Sequence, residues 1–190
     1  MPEPPNLATP RLLLRPFVLS DAADVQRLAG DRSVADNTLS IPHPYPDGEA
    51  EKWIATSAAG FAEGKFAHFA ITLRSSSQLV GTAGLVIERK WDRAELGYWI
   101  GADSRNHGYC TEAAQAVIDY GFQGLGLNKI VAQHFERNPA SGRVLQKLGM
   151  QREGLHAQHV KKWDGYEDVV SYGLVRTAWQ ARRADAEAPL

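Results

Sequence analysis

Between Glu95 and Phe122 the sequence changes its hydrophobic period. Up to Ile100, the residues Glu95, Gly97 and Trp99 alternate with Leu96, Tyr98 and Ile100, the two-residue rhythm of a strand. Further on, Ala114, Val117, Ile118 and Gly121 recur at the three-four spacing of one helix face. A short polar turn lies between them, and Gly108 stands where the helix opens. A strand that feeds a helix through so short a turn leaves the first helical amides without intrahelical partners. With the helix dipole, such amides form a site for an anion. Gly108 lets a phosphate approach the backbone, because no side chain stands in the way. Arg105 and His107 can add charge or donors. No Lys-Ser or Lys-Thr follows the glycine, so this is not a nucleoside-triphosphate loop, and the three-glycine dinucleotide pattern is missing. Taken alone, the segment reads first as an ordinary strand–loop–helix unit with a glycine in its turn.

The rest of the chain supplies neighbours for this unit. Arg11–Phe17 reads as a strand, and Ser20 and Asp21 as the cap of a helix over Ala22–Ala29. Prolines at every second position exclude a helix over Ile41–Gly48. A second helix is expected from about Glu49 to Phe61. Phe66–Leu73 and Gln78–Ile87 read as a hairpin around Ser75–Ser77, with Arg93–Ile100 as the next strand. The helix at Gly108–Phe122 is followed by a strand at Lys129–Phe135. Asn138–Leu148 has an Asn cap, Pro139 at the first helical position and Gly149 as its stop. Leu155–Val175 reads as two strands about a turn at Trp163–Gly165. The predicted class is α+β: a mixed, mostly antiparallel sheet of about seven strands flanked by about four helices. The strands on either side of Gly108–Phe122 are expected to run parallel. Residues 1–8 are expected to be a disordered lead-in, 9–176 a single domain, and 177–190 a frayed tail.

Charge and cysteine content narrow the function classes. Lys and Arg number 21 and Asp and Glu 22, a formal charge of −1, so there is no broad basic field for nucleic acid. Cys110 is the only cysteine, which excludes an intrachain disulfide and any multi-cysteine zinc site. No apolar run reaches the ~18 residues of a membrane span, and the first ten residues lack the apolar core of a signal peptide. A soluble, cytoplasmic protein without a metal is expected. The six histidines show no ligand spacing; His156 and His159, three apart in an expected strand, are assigned to opposite faces.

Y-W-I-x-x-x-x-x-x-G-Y-x-T-E-A from Tyr98, followed by N-P-x-S-x-x-V-L-x-K-L-G-M from Asn138, resembles the GCN5-related N-acetyltransferases, and within them the RimJ/RimL-like ribosomal-protein N-acetyltransferase branch. The opening T-P-R-L-L-L-R-P-F and closing W-D-G-Y-E-D-V-V-S-Y-G-L extend the match, in order, from Thr9 to Val175. The family's loop usually reads Q/R-x-x-G-x-G/A; here Asp103 replaces its leading residue, Asn106 its first glycine, and Gly108 keeps the second. Asn tolerates left-handed backbone geometry, but an acid at 103 would disfavour a pyrophosphate unless turned away.

The resemblance implies an enzyme that moves an acetyl group from acetyl-CoA to an amine. It implies that the pantetheine arm pairs with Trp99, Ile100 and Gly101, that amides of Arg105, Asn106, His107, Gly108, Tyr109 and Cys110 hold the pyrophosphate, and that Asn138 both caps its helix and touches the pantetheine end. Glu95 is the candidate general base, directly or through water, as against an exposed carboxylate paired with Arg93 or a lysine. Ser141 is the candidate hydroxyl near the thiol, as against a capping serine. Tyr98 and Tyr109 are weaker hydroxyl candidates, better suited to packing. Cys110 is expected to pack rather than to act as a nucleophile. By the same resemblance, Gly30–Phe61 with Trp53, and the final hairpin with Trp163, Tyr166 and Asp168, line the acceptor side. Glu49, Asp164, Glu167 and Asp168 suit a cationic amine, although most of them also read as a solvated rim. A protein N-terminus and a small-molecule amine both remain open as acceptor. A degenerate acyl-CoA-binding sensor or scaffold is a third reading, and a homodimer is compatible with all of them.

Overall fold

Short apolar strands alternating with amphipathic helices assemble here around one eight-stranded sheet, in a computed structural model that describes residues 4–187. The elements are β1 (Leu7–Ala8), β2 (Leu12–Arg15), α1 (Ala22–Ala29), α2 (Arg32–Ala35), α3 (Glu49–Ala62), β3 (Phe66–Leu73), β4 (Leu79–Glu88), β5 (Arg93–Ile100), α4 (Tyr109–Gln123), β6 (Lys129–Phe135), α5 (Pro139–Lys147), β7 (Gln151–Lys162), β8 (Gly165–Val175) and α6 (Arg176–Glu187). The strand order is β1-β2-β3-β4-β5-β6-β8-β7. Every pair is antiparallel except β5–β6, which α4 connects as a crossover helix.

Strand alternation divides the core between the two faces. On one face Phe69, Ile71, Ala83, Leu85 and Leu96 pack with Val117, Ile118 and Phe122 of α4, Leu145 of α5 and Trp179 of α6. On the other, Ala70 and Leu79 pack with Val25 and Leu28 of α1 and Ile54 of α3. The expected mixed, mostly antiparallel sheet is found, with one more strand and two more helices.

Four local expectations need correction. Asp21 does not cap α1 with its side chain. Its buried carboxylate takes two 2.7 Å bonds from the Arg15 guanidinium and a 2.9 Å bond from the Val18 amide, a bidentate charged pair that a single cap bond cannot rival. The short strand β1 pairs with β2 inside the expected lead-in, whose residues 1–3 lie outside the described region. The expected frayed tail is helical to Glu187. There Trp179 is only 7% exposed, its ring 5.1 Å from Phe122 and its Nε1 donating to Asp119 at 2.7 Å. One apolar anchor in a small, charged stretch is too sparse for a periodic signal, and residues 188–190 lie outside the described region. Finally, β7 shifts register against β8 between His156 and Val160, where Gln158 takes φ 49°. This bulge brings the His156 and His159 rings to 5.0 Å instead of to opposite faces. Among the described residues, no group of three His, Cys, Asp or Glu side chains could hold a metal ion.

Candidate active site

The site arises because β5 serves two neighbours unequally. It pairs with β4 along its full length, Arg93 to Ile100, but with β6 only over Arg93–Glu95 against Lys129–Val131. β6 continues beside β8 as far as Phe135. Beyond Glu95 the two parallel strands therefore diverge. The β6-side backbone groups of Leu96 and Tyr98 are left without a strand partner, the Ile100 carbonyl accepts from Arg105 Nε at 3.3 Å, and a wedge-shaped cleft opens between the strands.

One mouth of the cleft is basic. This hollow, of about 390 Å3, is lined by the α4 turn and by α5, with Arg105, Arg143 and Lys147 as charged groups and, among the described residues, no carboxylate. Asn106 (φ 64°) and Gly108 (φ 80°) take the left-handed geometry that turns the chain into α4. Gly108 is the N-cap and supplies no side-chain cap, so the first α4 amides have no intrahelical acceptor. Thr9 and Arg11 brace the turn from behind. Arg11 donates to the His107 carbonyl at 2.8 Å, pairs with Glu112 at 2.6 Å and lies 4.9 Å from the Tyr109 ring centroid. Thr9 Oγ1 donates to Glu112 at 2.6 Å. Glu112 is thereby spent on the brace, and its charge does not oppose an anion in the mouth.

At the waist, Tyr98, Trp99 and Ser141 line both hollows. The Tyr98 and Ser141 hydroxyl oxygens lie 3.0 Å apart. Burial pushes the Tyr98 phenol well above its usual value, leaving a neutral hydroxyl that can donate a proton or a hydrogen bond. Asn138 Oδ1 accepts from the Ser141 amide at 3.3 Å, so it caps α5 while lining the basic mouth. Burial raises the Cys110 thiol to about 12; at neutral pH it is un-ionised and suited to packing, not to nucleophilic attack.

The other mouth, a hollow of about 470 Å3, is acidic and aromatic. Glu95 and Glu49 are its carboxylates; Tyr45, Trp53 and Trp99 supply rings; and among the described residues no Lys or Arg lines it. Its floor is the row His68–Gly84–Gly97 across three paired strands. A Cβ at Gly97 would meet nothing within 4 Å, whereas one at Gly84 would strike His68 at 2.5 Å. The two glycines thus give the cavity its depth. His68 stacks near Trp53 and shares a 2.9 Å hydrogen bond with Ser57 Oγ. Burial lowers it to about 4, so the ring is neutral at physiological pH.

Glu95 sits at the branch point of β5 and β6. Arg93, its expected partner as a surface carboxylate, is engaged instead by Glu88 at 2.8 Å. Burial, and then the Glu88 charge, raise the Glu95 carboxyl above its usual value, with Arg93 pulling the other way. Over this mouth the Asn37–Pro42 segment forms a wall that the β7–β8 hairpin holds from outside. Lys162 Nζ donates to the Leu39 and Ile41 carbonyls at 3.3 and 3.2 Å. Trp163 Nε1 donates to Asp36 at 3.0 Å, and Arg137 bridges the Asp36 carbonyl and Glu167 at 2.6 and 2.8 Å.

Of the residues selected from sequence, Glu95, Trp99, Ile100, Arg105, Asn106, Gly108, Tyr109, Cys110, Asn138 and Ser141 all line the cleft. Gly101 and His107 do not. The Gly101 amide donates to Val80 at 2.9 Å, and the His107 ring stacks on Tyr109. Asp103 is also off the wall, which answers the objection to an acid in the loop. On the acceptor side Glu49 and Trp53 reach the cavity, whereas Trp163, Tyr166 and Asp168 do not line it; the hairpin contributes Val160 and Val169 instead. Sequence reading passed over His68, Tyr45 and Lys162. None belongs to a local motif, and each acquires its place from a partner distant in sequence.

The sequence profile of the acetyltransferase (GNAT) domain matches residues 11–151. The chain is 33% identical over 178 residues to an uncharacterized N-acetyltransferase of Bacillus subtilis, YoaA, covering 90% of this chain and 97% of that protein. A GNAT-family acetyltransferase structure from Bacillus anthracis superposes with a TM-score of 0.81 at 25% identity, covering 90% and 98% of the two chains. The ribosomal-protein-S5-alanine acetyltransferase of Vibrio fischeri shares the fold, with a TM-score of 0.82 at 18% identity and coverage of 92% and 98%.

Proposed function

Because the chain belongs to the acetyltransferase (GNAT) family, we propose that it transfers the acetyl group of acetyl-CoA directly to a primary amine within a ternary complex held in this cleft. The observation that carries the proposal is the division of charge between two mouths that meet at Tyr98, Trp99 and Ser141: three cations on one side, two carboxylates on the other. A polyanionic thioester suits the first mouth and a cationic amine the second.

The α4 amides and Arg105 receive phosphate, and the open edge of β5 beyond Glu95 receives the pantetheine amides. Held at the divergence of β5 and β6, the thioester carbon faces the acceptor cavity. The amine must lose a proton before it attacks. Glu95, directly or through one water, takes that proton. The nitrogen lone pair then forms the new N–C bond and the C–S bond breaks. The departing thiolate takes a proton from the Tyr98–Ser141 hydroxyl pair, and the second proton leaving the amine nitrogen restores that pair. Much of the acceleration comes from holding amine and thioester together in a shared cleft. A protein N-terminus is an acceptor consistent with the activity for which the Vibrio fischeri neighbour is named; a small amine is consistent with a cavity of about 470 Å3. The left-handed Asn106 and an exposed Asp103 that does not line the basic mouth favour turnover over the sensor reading.

The test pairs binding with turnover. Acetyl-CoA at a hundredfold its Kd should stabilise the fold by ~2.7 kcal/mol, a melting shift of roughly 5–10 °C at this size. CoA release should follow when N-terminal peptides or small amines are added. A shift without release on any amine would favour the sensor reading, and no shift with any acyl-CoA would sink both.

A further inference from the structure

The acceptor cavity carries a selectivity of its own. Its two charged groups, Glu49 and Glu95, have the same sign, and no Lys or Arg among the described residues stands on its wall to balance them. Lys52 reaches Glu49 only at 3.9 Å and is itself well exposed on α3. Lys162, bonded to the Leu39–Ile41 wall, spends its ammonium on the Leu39 and Ile41 carbonyls and lies 4.3 Å from the Trp163 ring centroid. The His68 ring on the floor is neutral and bonded to Ser57. Rings and valines cover much of the rest, Tyr45, Trp53 and Trp99 with Val86, Val160 and Val169, beside the neutral amides and hydroxyls of Asn37, Thr38, Ser40, Thr82 and Gln133 and the His134 ring, whose Nδ1 lies 2.7 Å from the Phe135 carbonyl.

We infer that the acceptor is a primary amine on an apolar or aromatic body with no carboxylate beside the amine, so that free amino acids are excluded by charge. The inference rests on the acetyltransferase reading and specifies its second substrate. An ammonium entering this cavity meets ring faces and two carboxylates, both of which attract a cation. A carboxylate carried in on the same molecule would lose its water against two like charges and find no Lys or Arg among the described lining residues to pair with. The apolar body would fill the depth that Gly84 and Gly97 leave open, in a cavity within the ~300–1,000 Å3 range of small-ligand sites.

Three probes of one shape separate charge from size: phenethylamine, phenylalaninamide and phenylalanine. CoA release is measured on the intact protein with acetyl-CoA, alongside a peptide with an apolar N-terminal residue. Phenethylamine and phenylalaninamide should be acetylated, with phenylalanine at least about tenfold lower in kcat/KM. In Glu49→Gln that gap should narrow, chiefly through the KM of phenylalanine. Equal use of phenylalanine and its amide would overturn the inference. Turnover of the peptide but not of phenylalanine would support it, with a peptide N-terminus as the amine. Failure of every amine and peptide to release CoA would remove the acetyltransferase reading, and the inference with it.

Discussion

Glu95 makes no hydrogen bond or ion pair among the described residues, although Arg93 stands two positions away on the same strand. The guanidinium is drawn to Glu88 across the hairpin, and Glu95 is left facing the cavity with its pKa raised by burial and by Glu88. A base works only when deprotonated, so kcat/KM should rise with pH along a limb centred above the ordinary glutamate range. Glu95→Gln should abolish that limb and lower kcat by about 10²-fold or more, with acetyl-CoA affinity little changed. A retained limb would move the base role elsewhere. At this scale sequence reading did well where a residue's role depends on its own strand or helix. Period-two alternation put Glu95, Gly97 and Trp99 on one face, and the capping Asn138 was evident from Pro139 beside it. It failed where a distant partner intervenes, as at Asp21, whose carboxylate belongs to Arg15, and at His156 and His159, whose strand bulges.

Two segments of the chain, Thr9–Arg11 and the 161–168 tip of the β7–β8 hairpin, act on the cleft without lining it. The Thr9–Arg11 segment ends the β1–β2 turn and fastens the start of α4, through Glu112 and the His107 carbonyl. This explains the opening T-P-R of the sequence in physical terms: it fixes the turn that leads into α4. Arg11→Ala should therefore weaken acetyl-CoA binding by about tenfold, equivalent to ~1.4 kcal/mol, as read by calorimetry. The melting temperature of the free protein should move little, since the Arg11 side chain is half exposed. An unchanged Kd would mean that Asn106 and Gly108 hold the turn unaided. On the acceptor side, the β7–β8 hairpin plays the matching part through Lys162, Trp163 and Arg137. The closing W-D-G-Y-E-D stretch read as a lining segment; in the fold it lies outside the wall and steadies it.

Across the whole molecule, the sheet is closed on one face by α4, α5 and α6 and on the other by α1 and α3. α6 is the least legible member, and its weight rests on Trp179. Trp179→Ala would open a void beside Phe122 and orphan the Asp119 contact, at a cost of about 3–5 kcal/mol. Thermal denaturation should show a drop of roughly 6–20 °C, and a loss within error would mean that the sheet holds its core without α6. The sequence by itself determined the order of the strands and helices from β2 to β8 apart from the one-turn α2, the strand–turn–helix unit at Glu95–Phe122, the capped helix at Asn138 and the family resemblance. These rest on local periodicity, glycine and proline geometry, and contiguous motifs. Tertiary structure alone decided where β5 and β6 part, which charges face each mouth and which are spent on bracing. Those outcomes depend on strand register and on partners a hundred or more residues away, such as Arg11 with Glu112 and Lys162 with Leu39, and no local pattern encodes them.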